Sequence, residues 1–279
     1  MKVKIITDST ADLPEALRSR VGIVPLTVHF GDQEYVDGVT IDHKTFYEKL
    51  IETDVMPTTS QAVPVAFGLQ YSQLAPEESA VVVTITSGLS GTYQSAVIAA
   101  QEYENIYVVD SGSAAIGTGI LVELALRLAE QGMDAKSIAQ TLEEEKKKIC
   151  VIALVDTLEY LKRGGRISKS VALAGTLLNI KPVLSIEDGQ IQMLGKARGS
   201  KQGNNLLAQQ INQAGGVDFD RPVLLGYTGL SDLLLKKYIE DSRHLWEESA
   251  EPLRYTAIGS VIGTHAGPGA IAVAFFKKA

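Results

Sequence analysis

A single cysteine, Cys150, stands among the 279 residues. One thiol excludes an intrachain disulfide and a multi-cysteine metal cluster, and it gives no sign of a secreted disulfide scaffold. Within KICVIALVD it reads as a small buried apolar group rather than a nucleophile. Excess positive charge is also lacking: 26 Lys and Arg face 33 Asp and Glu, a net charge of -7 with a pI near 5.2. No block of like charge forms a tail, which argues against nucleic acid as the main partner. The one locally charged stretch, EEEKKKIC, has the sign order of a solvated helix end with i,i+4 pairs. No apolar run reaches membrane-spanning length, and even SVIGTHAGPGAIAVAFF is broken by glycines, a proline and a histidine. Membrane insertion is therefore not expected, and any lipid would be met inside a pocket. The opening MKVKIITDST enters a strand pattern without the apolar stretch and cleavage site of a signal peptide, so the expected location is the cytoplasm.

Nucleotide and metal signatures are missing as well. After Gly91 come Thr92 and Tyr93, so the lysine of a phosphate-binding Walker loop is absent. A hydrolase elbow around Ser90 would need glycine where Thr92 stands. GTGI, with Gly117 and Gly119, lacks the third glycine of a dinucleotide fingerprint, and no His/Cys/Asp/Glu cluster has a metal-ligand spacing. No cofactor and no metal are expected.

What is present is ample apolar material, 45% of residues, enough for one large domain or two smaller ones. Strand-like runs VKIIT, AVVVTIT, IYVVD, CVIALVD, PVLLGYT and YTAIGSVIG alternate with helical patterns such as IGTGILVELALRLAEQG and SDLLLKKYIEDSRHLW, indicating α/β layers with much parallel pairing. Two segments break the rhythm: short strands around Gly31-Asp32, within a strand-rich excursion near 24–57, and a hairpin turning at Asp188-Gly189. A fresh series of strand, helix and hairpin begins near residue 150. The expected organisation is a parallel-rich α/β domain over 1–149 and an α+β domain over 150–279, with a ligand cleft between them.

Three polar loops are candidates for chemistry. In TSGLSGTYQSA, Gly88 and Gly91 allow close backbone approach, and Ser87, Ser90 and Thr92 add donors at a helix start, where an anion is welcome. The same loop reads equally as ordinary capping by Ser90 or Thr92. In MPTTSQAVP, Pro57 and Pro64 bracket Thr58, Thr59, Ser60 and Gln61 on a constrained loop. In GTHAGPGA, His265 lies between Gly263 and Gly267 in a turn before a final apolar strand, which sets it above His29, His43 and His244. Asp8 is read as a helix cap. Arg163 and Arg166 in YLKRGGRIS, with Lys196, Arg198 and Lys201 in LGKARGSKQ, hint at a docking face. Ser90 with His265 could also serve as a serine-dependent acyl hydrolase or transferase, although no acid can be assigned to orient the histidine.

In order along the chain, TDSTADLP, PTTSQ, SGLSGTYQSA, LEYLKRGGRIS, KPVL, DGQI, KARG and GTHAGPGA resemble the DegV family of bacterial lipid-binding proteins, which includes the fatty-acid-binding subunits of fatty acid kinase. The resemblance implies a two-domain DegV-like fold enclosing one long-chain fatty acid, such as palmitate or stearate. By position, the hydroxyl ligands of the carboxylate fall on Thr59, Ser60 and Ser90 with Gly91, and the late histidine falls on His265. It further implies a fatty acid kinase partner that phosphorylates the carboxylate for phospholipid synthesis. Arg166 and Arg198 are the candidates for contacting that partner or the phosphate.

Overall fold

The computed structural model describes residues 2–167 and 179–278. Strands β1 (Lys2–Asp8), β2 (Gly22–Val24), β6 (Glu78–Thr84) and β7 (Ile106–Asp110) form a four-stranded sheet in the order β2-β1-β6-β7, with every pairing parallel. Parallel strands covered on both faces read as continuous apolar runs, and Ala80 to Val83 of β6 are fully buried. Alternation divides the sheet's side chains. Ile5, Val81 and Val83 pack on α5 (Ile116–Glu130) and α6 (Ala135–Glu145), whereas Ile6, Ala80 and Val82 join the cluster of α3 (Pro64–Tyr71) and α4 (Thr92–Ala100).

A small antiparallel sheet, β4-β3-β5, comprises β3 (Thr27–Phe30), β4 (Gln33–Val36) and β5 (Thr58–Ser60). Helix α2 (His43–Glu52) covers its inner face through Phe46, whose ring centroid lies 5.8 Å from that of Phe30.

From residue 149 onward the strands join a different, mixed sheet in the order β10-β9-β8-β13-β11-β12. These are β8 (Ile149–Leu154), β9 (Ile180–Glu187), β10 (Gln190–Arg198), β11 (Leu224–Tyr227), β12 (Tyr255–Ala257) and β13 (Ile271–Phe276). The β9–β10 hairpin turns where expected, with Asp188 at φ 48° and Gly189 at φ 72°, the paired positive angles of a two-residue turn matched to strand twist. One face, with Ile152, Val273 and Phe275, is covered by α8 (Gly199–Gln213) and α9 (Leu233–Asp241). The other face offers Val151, Ala272 and Ala274 to the core that contains α5.

Helix α5 thus packs against both large sheets. Twelve of its 15 residues are buried, the pattern of a helix apolar on all sides. Its one buried carboxylate, Glu123, is bonded by Arg127 and by Arg254, the latter through both oxygens. Cys150 is half-buried, and burial pushes its thiol up to about 11, leaving it unreactive near neutrality.

Three sequence readings need correction. The charged stretch pairs as Glu143–Lys146, Glu144–Lys147 and Glu145–Lys148, at i,i+3 rather than i,i+4. Lys146–Lys148 tightens into a 3-10 turn, in which residues three apart eclipse. The run YTAIGSVIG is strand only over β12. Gly259 is extended and starts α10 (Ser260–Ala266), because Asp12 and Asp37 accept the N–H groups of Gly259 and Ser260. His265 accordingly rides on the last turn of a helix, not in a turn before β13. Asp8 does cap, but of a 3-10 turn at Ser9–Ala11, and it also accepts from the Ile85 N–H. Helix α7 (Glu159–Arg163) packs against α10 and completes the elements used below.

The shared helix predicts one unfolding unit. Ile120→Ala, at a fully buried position of α5, should cost about 2–5 kcal/mol. In urea, the fluorescence of Trp246, the only tryptophan and a residue of the later sheet's core, should shift together with the far-UV signal. Two separated transitions would show that the sheets unfold independently.

Candidate functional site

Between the two large sheets, beyond the start of α5 and beside α10, lies a cavity of about 410 Å³. That is within the roughly 300–1,000 Å³ of small-molecule sites. Its space comes from alternation in the later sheet. Along β13 and the residue before it, Ala270 and Ala272 face the cavity while Ile271, Val273 and Phe275 face α8 and α9. Along β8, Val151 and Ala153 face inward and Ile152 and Leu154 outward. Ala114, Ala115 and Ala266 extend the small-residue wall. Ala115 holds φ 52° and ψ -138° at the N-cap of α5, a conformation costing about 1–3 kcal/mol for a residue with a Cβ. Leu26, Ile85, Leu184 and Ile191 complete an apolar lining.

The polar end is built from the three loops singled out in the sequence. Thr59, Ser60, Ser90, Gly91, His265 and Arg166 all border the cavity. On β5, neighbouring side chains point to opposite faces. Thr59 faces inward, its Oγ1 2.9 Å from His265 Nε2, while the hydroxyl of Ser60 is bonded on the outer face to His29 Nε2 at 2.9 Å. Burial, reinforced by the Arg166 cation, pushes His265 down to about 4, so its ring is neutral at physiological pH. Its Nδ1 is buried without a partner among the described residues, against Gly164, where an added Cβ would come within 2.1 Å. With the ring proton assigned to Nε2, only a lone pair is left unpaired there. His265 then donates to Thr59, and the threonine's own proton points to whatever occupies the cavity.

Ser90 is arranged in the same way. Its Oγ accepts from the Thr92 N–H at 3.3 Å and lies 2.9 Å from Thr92 Oγ1, which itself accepts from the Ala62 N–H at 3.3 Å. If the Thr92 hydroxyl donates to Ser90, the Ser90 proton is likewise free. Two neutral hydroxyl donors at the end of a largely apolar chamber suit a group that only accepts, as a carboxylate does.

The glycines also make room for neighbours within the protein. Gly88 lies against the β9–β10 hairpin, where a Cβ would be 2.4 Å from the Gly189 carbonyl oxygen, and Gly91 lies against the Gln61 side chain. Gln61 bonds Ser95 Oγ at 3.0 Å and the Gly91 carbonyl at 3.4 Å, locking two of the polar loops together. Arg166 donates to the carbonyls of Leu89 and Gly164 at 3.2 and 2.7 Å, tying the Ser90 loop to the end of α7. Arg198 is not brought to the cavity: it is exposed at the end of β10, its N–H bonded to Gln202. Ser90 and His265 share no hydrogen bond and no acid meets the free ring nitrogen, so the hydrolase arrangement is not formed among the described residues.

Residues the sequence reading passed over are Asp12 and Asp37, while Gln61, placed with the hydroxyls of its loop, is found to tie two loops together. Burial raises both carboxyls, Asp12 well above the usual range, and each caps the helix that carries His265. Their partners lie more than 200 positions away, so no local pattern marks them. No described helix is long and apolar enough to cross a membrane.

Residues 2–278 match the family model DegV, described as an uncharacterised protein of the DegV family. A DegV domain-containing protein of Caldanaerobacter subterraneus subsp. tengcongensis is 39% identical over 283 residues, covering 99% of each chain. Among solved structures, a DegV family protein from Thermus thermophilus, described by its fatty acid binding, has a TM-score of 0.88 at 33% identity, over 99% of this chain and 100% of that one. A stearic acid-binding protein from Eubacterium ventriosum has a TM-score of 0.86 at 28% identity, over 99% of this chain and 98% of that one.

The neutral histidine gives a pH signature. The unfolded chain protonates His265 as pH falls below about 6.5, whereas the folded chain resists until about 4. Its contribution is therefore intact above the unfolded value and is lost as pH falls towards the folded one. Melting curves of wild type and His265→Gln should keep a constant offset above pH 7 and change it between pH 6.5 and 4, with wild type losing ground. Parallel curves throughout would place the ring in a solvated environment.

Proposed function

The chain belongs to the DegV family, and from that we propose that it binds one long-chain fatty acid, such as palmitate or stearate. The carboxylate is taken by the hydroxyls of Thr59 and Ser90, with His265 orienting Thr59. The acyl chain lies along the alanine-walled cavity. The observation that carries this reading is an apolar chamber whose polar end presents neutral hydroxyl donors aligned by a neutral histidine. The Thermus thermophilus and Eubacterium ventriosum proteins support it, since their descriptions are those of fatty-acid binders.

Energetics favour a long acid. Each buried methylene contributes about 0.8 kcal/mol before association costs are subtracted. A carboxylate in a low-dielectric chamber is tolerated when charge-assisted hydrogen bonds replace its water. The protein is a carrier in this reading, not an enzyme: the hydroxyl that meets His265 is that of Thr59, serving as a ligand donor, and among the described residues no acid meets the other ring nitrogen to orient it as a base. Presentation of the carboxylate to the catalytic subunit of a fatty acid kinase, in the cytoplasm and for phospholipid synthesis, fits a polar end at which Ser60 and Gln61 are exposed. Arg166 is the candidate for meeting the phosphate and Arg198 for docking that subunit.

Native mass spectrometry followed by extraction tests the ligand. The protein should carry one fatty acid, and Thr59→Val should weaken palmitate binding by roughly tenfold, with Ser90→Ala adding a comparable loss. A protein that is empty and refuses palmitate sinks the proposal. Chamber volume is tested by Ala272→Phe, which should exclude stearate while shorter acids still bind. Equal losses across all chain lengths would mean that the acyl chain runs elsewhere.

A further inference from the structure

At the start of α10 the Ile258 carbonyl and the N–H groups of Gly259 and Ser260 are held by side chains from the first half of the chain. The Ile258 carbonyl accepts from His43 Nδ1 at 3.0 Å and from the Tyr47 hydroxyl at 3.2 Å. The Gly259 N–H donates to Asp12 Oδ1 at 2.7 Å, and the N–H and hydroxyl of Ser260 both donate to Asp37 Oδ1. The other ring nitrogen of His43, Nε2, lies 2.8 Å from the carbonyl oxygen of Gly229.

Both ring nitrogens of His43 therefore face carbonyl oxygens, which only accept. A neutral imidazole has one N–H, so it satisfies one carbonyl and turns a lone pair on the other. The imidazolium satisfies both. Position at the first residue of α2 opposes that charge through the helix dipole, and the Asp42 carboxylate at the N-cap offsets it. The two carbonyls belong to residues in or next to the cavity wall. Ile258 lines it, as does Thr228 immediately before Gly229, and α10 then carries Val261, Ile262 and His265 along it.

We propose that His43 is a positioning residue for the ligand cavity and acts in its charged form, clamping Ile258 and Gly229 so that the bound acid leaves slowly. Loss of the proton releases one carbonyl, loosens the wall and speeds exchange. The ligand in this inference is the fatty acid proposed above. The other titratable groups around the ring are Asp42, Lys44 and Tyr47 on α2, Tyr227 on β11 with its ring 5.8 Å away, and Asp12 and Asp37 behind Ile258. His265 titrates at the far end of α10, in a more acid range.

The test is stopped-flow release of a fluorescent long-chain fatty acid from wild type and His43→Gln between pH 5.5 and 8. Glutamine keeps an amide donor whose state does not change with pH. Wild type should release faster as pH rises, by roughly tenfold, the factor of one ordinary hydrogen bond, and His43→Gln should show a flat profile. A flat wild-type profile overturns the proposal. So does an unchanged slope in the variant, which would assign the pH dependence to Asp12 or Asp37. Nitrogen-15 spectra of the wild-type ring decide independently of any ligand or variant: both nitrogens should carry slowly exchanging protons at pH 5.5, and a single protected N–H refutes the clamp. If no fatty acid binds at all, the ligand reading falls while the ring spectrum still settles the role of His43.

Discussion

Helix α5 is one helix thick, and two large sheets lean on it. Where its apolar surface runs between them, the sheets are held apart and covered. Where the helix begins, at Ile116, that cover stops, and the later sheet must close the gap with α10 and with its own small residues. The cavity is the space left by this arrangement, bounded by Ala114 and Ala115 just ahead of the helix. Strand β13 shows how closely the sequence follows the geometry. Its large side chains serve the outer core and its alanines face the gap. A leucine in place of either cavity-facing alanine would make a better packed protein with less room inside.

The polar end of the cavity avoids fixed charge. The one cation among the described residues that line the cavity, Arg166, donates to two backbone carbonyls and organises the Ser90 loop. The histidine is held neutral by burial, and the hydroxyls gain direction from neighbours that fill their acceptor sites. A lysine here would bind a carboxylate more strongly in vacuum, but it would carry its own desolvation cost when the chamber is empty. Hydroxyls cost little to bury once hydrogen-bonded and hold an acid that must later be given up.

Much of this was legible in the sequence where the cause is local. Hydroxyl-rich loops, the apolar run of β6 and the Asp188-Gly189 turn announce themselves because turn chemistry and strand periodicity act over a few residues. Helix α10 did not, since its first turn depends on Asp12 and Asp37, and a segment containing Val261 and Ile262 looks like strand until those carboxylates are seen. The purpose of Gly88 and Gly91 was hidden for the same reason: each makes room for a partner remote in sequence, Gly189 or Gln61. Ser60 and Thr59 are equivalent as residue types, and only the strand alternation of β5 sends one to His265 and the other to His29. The alternation of alanine with large residues in GAIAVAFF was in plain view, but its meaning requires knowing that two faces of one strand meet different neighbours.

The contact between Gly88 and the tip of the β9–β10 hairpin has a consequence for how such chains can diverge. Surface hairpins ordinarily absorb insertions, because a longer tip simply extends into solvent. This tip ends against the loop that carries Ser90, where Gly88 meets the Gly189 carbonyl and the Thr86 side chain fills the space beside Gly189. One added residue would drive the turn into that loop. Kindred sequences should therefore vary freely in hairpin composition and scarcely at all in hairpin length, and two halves of the molecule that look separable along the chain are bound to evolve in step at this point.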